Sequence, residues 1–149
     1  MSSELRFIKI AVPLVWVGFV AAISFMEAWL KFTVPDVTLA IGLGIGKVVF
    51  GALNRVEIFF CALLLVLQRR VRWGTDAYFF VVALIVGVQS LYMLPALTAR
   101  IEMYQAGNIP PPSDLHVVYV ALEAVKIACL LIYGTKQLTY GKFSKPIAG

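Results

Sequence analysis

From Ile10 to Met26 the chain carries no charged residue, and three further long apolar stretches follow before Tyr133. A helix rises ~1.5 Å per residue, so about 20 such residues cross a ~30 Å hydrocarbon layer. Hydrophobic residues make up 61% of the 149 and charged residues 14%, against about 25% charged in soluble domains. A soluble domain of this length buries only about 70% of its unfolded surface and has no place for so much apolar side chain. The same balance excludes disorder, and two cysteines exclude a disulfide scaffold. An all-α integral membrane protein is what remains.

The first run, preceded by Arg6 and Lys9, invites comparison with a signal peptide. The apolar part of a signal peptide covers about 7–15 residues and ends at a small-residue cleavage site. This run is longer, and Ser24-Phe25-Met26-Glu27 offers no such site, so it reads as a retained helix. The expected spans are about 8–30, 40–67, 76–104 and 114–134, forming one domain over 1–134, with a basic cytoplasmic tail at 135–149. Asp36 or Thr38 is placed to cap the second helix. Pro95 is placed to kink the third, Gly107 to stop it, and Ser113 or Asp114 to start the fourth. The three consecutive prolines from Pro110 to Pro112 make a stiff connector.

Alternate-side counting of basic residues sets the orientation. Arg6, Lys9, Arg69, Arg70, Arg72, Lys136, Lys142 and Lys145 fall on one side; only Lys31 and Arg100 fall on the other. The positive-inside rule then gives an antiparallel four-transmembrane-helix bundle with both termini cytoplasmic. Trp29, Trp73, Tyr78, Tyr133 and Tyr140 sit where interfacial anchors are expected. The net charge of +5 is spent on orientation and lipid headgroups. With no binding motif beside it, it does not point to nucleic acid. The lipid bilayer is the expected partner, joined by a membrane-complex partner or a homo-oligomer.

Polar residues inside the spans carry the functional information: Glu27, Lys47, Asn54, Arg55, Glu57, Arg100, His116, Glu123 and Lys126, with Gln89 deep in the third helix. Between Ile41 and Leu67 there are sixteen Leu, Ile, Phe and Val residues, worth about −5 to −10 kcal/mol in insertion. Arg55 and Glu57 cost roughly 2.5–3.5 kcal/mol each, leaving the second helix near break-even and dependent on partners. On the fourth helix His116, Tyr119, Glu123 and Lys126 fall within an arc of about 80°. The expected network joins Arg55 to Glu123 and Glu57 to Lys126. Lys47, Arg55 and Lys126 would balance Glu27, Glu57 and Glu123 in number. Simple intrahelical pairs, Glu123 with Lys126 and Glu27 with Lys31, are the plainer reading.

The phosphate-loop reading of Gly46-Lys47 fails, because the spacing from Gly42 is short and Val48 stands where Ser or Thr is needed. Gly42-x-x-x-Gly46 reads instead as a small face for close helix contact. A lone His116 and intramembrane Cys61 and Cys129 give no metal site, and neither cofactor nor catalytic residue is expected. His116 with Lys31, Lys47, Arg100, Glu27 and Glu102 leaves room for a polar pocket opening outward.

The segments Ser24 to Phe32, Gly42 to Glu57, Leu94 to Arg100 and His116 to Lys126 resemble a small uncharacterised family of bacterial four-span membrane proteins. Lys31-Phe32 after the first span and Glu57 in the second are more distantly similar to DoxX-like proteins. The resemblance implies a multi-pass protein of the bacterial inner membrane and, through the DoxX-like pattern, an accessory role in membrane redox complexes. The expected function is thus a non-catalytic or accessory membrane component held by a buried polar network. Small-solute or proton binding and translocation is the alternative, and a small enzyme at the outer face comes third.

Overall fold

The computed structural model describes residues 3–70 and 76–140. Every regular element among them is helical, and four helices are long and apolar enough to cross a membrane: Phe7–Thr33, Leu39–Gln68, Ala77–Gln105 and Leu115–Leu138.

Helix α1 begins as Ser3–Val20, widens to a π-helical stretch at Ala21–Glu27 and closes through Ala28–Leu30 and a 3-10 turn at Lys31–Thr33. Pro13 lies inside it and packs toward Gly134, where an added Cβ would stand 3.7 Å from the proline ring. Asp36, at φ 67°, turns the chain in the left-handed region that a short polar side chain tolerates. Thr38 Oγ1 then accepts from the Ile41 amide at 3.3 Å, capping α2 (Leu39–Arg70).

Helix α3 covers Ala77–Val88, a π stretch at Gln89–Met93 and Leu94–Gln105. Asp76 Oδ1 caps it by accepting from the Tyr78 amide at 2.9 Å. The wide turn sits directly before Pro95, whose missing N–H disturbs the hydrogen-bond ladder there. Gly107, at φ 82°, ends the helix, as expected. Arg100 Nη2 donates to the Pro111 carbonyl at 2.5 Å and pins the proline connector. Ser113 Oγ accepts from the Leu115 amide at 3.2 Å at the start of α4 (Leu115–Tyr140).

The second and fourth helices run further than expected: α2 reaches Arg70 and α4 continues past Gly134 to Tyr140. The rest of the basic loop after Arg70 and the tail beyond Tyr140 lie outside the described residues. α1 packs on α2 and α4, and α3 packs on the same two, closing a four-helix ring. The end with the 106–114 connector is called here the connector end.

Trp16, Val20, Leu53, Leu64, Val82, Leu130 and Tyr133 form the buried apolar core. Tyr133 belongs to it rather than to an interfacial belt: it stacks near Phe79 and its hydroxyl accepts from Gln68 Nε2 at 3.2 Å. Lys9, expected to flank the first span, is likewise buried within α1. The exterior is apolar. Leu91 is 84% exposed, Val48 72%, and Phe80 and Leu84 66% each, while Glu57, Gln89, Glu123 and Lys126 are wholly inside. Buried polar side chains beneath a largely apolar exterior suit four helices long and apolar enough to cross a membrane.

In hydrocarbon the packing of neighbours, rather than escape from water, holds helices together. Leu53→Ala opens a void in the core and is expected to cost about 2–5 kcal/mol. Leu91→Ala, on the outer face, is expected to change stability by less than about 0.5 kcal/mol. Thermal unfolding of the two variants in the same detergent measures the difference.

Candidate functional site

Three helices deliver one cluster. Glu57 comes from α2, Gln89 from the π stretch of α3, and Glu123 and Lys126 from one face of α4. All four side chains are wholly buried. Lys126 Nζ donates to Glu57 Oε1 at 2.5 Å, to Gln89 Oε1 at 2.7 Å and to Glu123 Oε1 at 3.1 Å. An ammonium has three donors, and here each has an acceptor. Gln89 also donates from Nε2 to Glu123 Oε1 at 2.9 Å, and Trp16 of α1 donates from Nε1 to Glu57 Oε1 at 3.0 Å. Every helix of the ring therefore contributes to the cluster.

The wider turn at Gln89–Met93 has a local consequence. It presents Gln89 to the cluster and the neighbouring Ser90 to Asn54, whose Oδ1 lies 2.6 Å from Ser90 Oγ. Such π turns shift side chains around a helix in a way regular geometry does not permit.

Charge counting then separates this cluster from the expected one. Two carboxyl groups face a single ammonium, so the unit is formally −1 with both carboxylates ionised and neutral with one proton added. Glu57 Oε2 and Glu123 Oε2 are buried and accept no hydrogen bond among the described residues, and neither does the buried Tyr119 hydroxyl. Tyr119 stands one turn before Glu123 on the same helix face.

Toward the connector end a cavity of about 300 Å³ opens between all four helices. Phe50 and Tyr119, its lining residues farthest from the connector on α2 and α4, meet edge-on at 5.6 Å and close its floor. Its walls are mainly apolar, from Phe32, Leu43, Leu97 and Ile101, and its cations are Lys31, Lys47 and Arg100, with His116 beside them. Lys31 pairs with Glu27 at 3.3 Å and lies 5.8 Å from the Phe50 ring centroid, and Lys47 pairs with Glu102 at 2.6 Å. After those pairings the Arg100 guanidinium is left as the net positive charge of the lining. Gly42 and Gly46 are buried, but against the Phe32 ring and the end of Lys31 rather than against a neighbouring helix backbone.

The nine residues singled out from sequence thus divide. Glu57, Glu123 and Lys126 meet in the core, with both the interhelical Glu57–Lys126 pair and the plainer Glu123–Lys126 pair present. Lys47, Arg100 and His116 line the cavity, Glu27 reaches it through Lys31, and Asn54 meets Ser90. Arg55 is the correction. It is exposed on the outer surface of α2, and the expected pair with Glu123 does not form. At ~100° per residue, Arg55 and Glu57 point about 200° apart, so only one of them can face inward. The three-against-three balance fails for the same reason. Gln89 and Trp16 complete the cluster; Gln89 was visible as a deep polar residue, whereas nothing in the spacing marks the Trp16 indole as a donor.

Among the described residues no group of three or more His, Cys, Asp and Glu could hold a metal ion, and Cys61 and Cys129 are free and half-buried. No protein-family model, no curated protein and no solved structure matches the chain.

Gln89→Leu leaves Lys126 and Glu123 each short of one partner and is expected to cost about 1–3 kcal/mol in detergent unfolding. Reversing charge at Arg55 together with Glu123 (Arg55→Glu with Glu123→Arg) is expected to give no rescue of membrane accumulation over Glu123→Arg alone. Recovery in the double variant would contradict the geometry.

Proposed function

We propose that the protein is a multi-pass membrane protein with a proton-linked binding site for a small amphiphilic solute. The cavity would take the solute, its apolar body against Phe32, Phe50, Leu97 and Ile101, and a head bearing one acidic or hydrogen-bond-accepting group toward Arg100. The cluster beneath would exchange one proton as part of the same site. The observation that carries this reading is the wholly buried set of two carboxyls around one ammonium, with two carboxylate oxygens that have no hydrogen-bond partner among the described residues. A purely structural knot needs only one acid per base, and an extra buried carboxyl is costly unless a proton or ligand compensates it.

With Lys9 set aside as buried within α1, a seven-to-two distribution of the basic residues counted outside the spans still supports an orientation with both termini cytoplasmic, in which the cavity opens outward. The bacterial inner membrane, as its location, rests on the sequence resemblance alone. A second reading, an accessory subunit of a larger membrane complex, is favoured by one observation. In the most apolar stretch of α2 17% of the residues are buried, against 33%, 28% and 28% in the other three helices.

The chain reconstituted alone in liposomes with an entrapped pH dye is expected to collapse an imposed proton gradient faster than protein-free vesicles. Glu57→Gln, which keeps the shape of the side chain but holds no exchangeable acid, is expected to return the rate to that of empty vesicles. Rates indistinguishable from empty vesicles for the unaltered chain, or unaffected by Glu57→Gln, would contradict the proton-linked reading.

A further inference from the structure

Arg55 lies halfway along α2, with ~24 Å of helix toward Leu39 and ~22 Å toward Arg70 at 1.5 Å per residue. A long side chain reaches across little more than one turn, so from there it cannot bring its charge to either face of a ~30 Å hydrocarbon layer lying square to the helix. Behind it the core is occupied: Glu57 Oε1 takes Lys126 and Trp16, and Asn54 Oδ1 lies against Ser90. Arg55 itself is exposed and makes no hydrogen bond or ion pair among the described residues.

Its neighbours on that face are ordered. The exposed positions Ile45, Val48, Ala52, Arg55, Phe59 and Ala62 follow alternating steps of three and four residues. That is the ~3.5-residue period of a seam made to pack along a second helix, with a single charged position setting its register. Small Ala52 and Ala62 allow close approach, while Val48 and Phe59 stand out at 72% and 62% exposure.

We infer that this face of α2 docks a transmembrane helix of a different protein, one that carries an Asp or Glu at mid-membrane depth to meet Arg55. The inference rests on the accessory reading and names the chemistry of the partner. Charge complementarity selects that occupant over a second copy. Any two-fold pairing of this seam sets Arg55 against Arg55. The described acids outside the core (Glu4, Glu27, Asp36, Asp76, Glu102 and Asp114) all lie at or near helix ends, out of reach of mid-helix. A guanidinium and a carboxylate meeting here would form paired hydrogen bonds sheltered from water.

The test uses the full chain in phosphatidylcholine vesicles, with fluorescence transfer to a synthetic Leu/Ala transmembrane peptide carrying one central Asp. Association is expected to be roughly tenfold tighter than for the same peptide with Leu in place of Asp. Arg55→Leu is expected to abolish that difference and Arg55→Lys to retain most of it; unchanged helical content of both variants shows that the fold is intact. Equal association of the two peptides, or an Asp preference that survives Arg55→Leu, overturns the inference. So does tighter association of the chain with itself than with the Asp peptide. A stoichiometric partner that co-purifies equally with the unaltered chain and with Arg55→Leu also overturns it, while leaving the accessory reading in place.

Discussion

An ammonium group with nowhere else to go organises this molecule. Lys126 is wholly buried and its three donors reach Glu57, Gln89 and Glu123, which come from three different helices. The remaining helix, α1, joins through the Trp16 indole on Glu57. A buried interior offers no substitute for any of these partners, so separating the helices would strand them. The apolar core around Trp16, Leu53 and Val82 adds packing, but it is the charge cluster that fixes which faces turn inward.

The same constraint shapes what lies on either side of it. Placing Glu57 inward forces Arg55, two residues earlier, to the outer surface, where it has no partner among the described residues and lies in an otherwise apolar seam. Toward the connector end the paired lysines and Arg100 surround a cavity whose floor, Tyr119, is one turn from Glu123. Glu123 is thus one turn from the cavity's Tyr119, and Glu57 is two residues from the exposed Arg55.

Much of this was legible beforehand, for a physical reason. Apolar run length and basic-residue asymmetry report on solvent and span number, so the four helices, the Thr38, Asp76 and Ser113 ends and the Gly107 stop all follow from local chemistry. Glu57–Lys126 was accessible because both residues are costly anywhere but inside. Arg55–Glu123 failed because the demand for neutrality outweighed the helical angle, which already placed Arg55 and Glu57 on opposite faces. The Trp16 donor and the inward shift of Gln89 were not legible. One depends on the rotation of α1 about its axis and the other on a π turn, and neither leaves a periodic trace.

The most direct test is a double-mutant cycle between Lys126→Met and Glu57→Gln, read as unfolding free energy in detergent. Losing Lys126 from the intact cluster strands two buried carboxyls, whereas losing it after Glu57→Gln strands one. The cost of Lys126→Met is thus expected to fall by at least about 2 kcal/mol in the Glu57→Gln background. Additive effects of the two substitutions would mean that the ammonium and the carboxylate do not hold each other, contradicting the account at its centre.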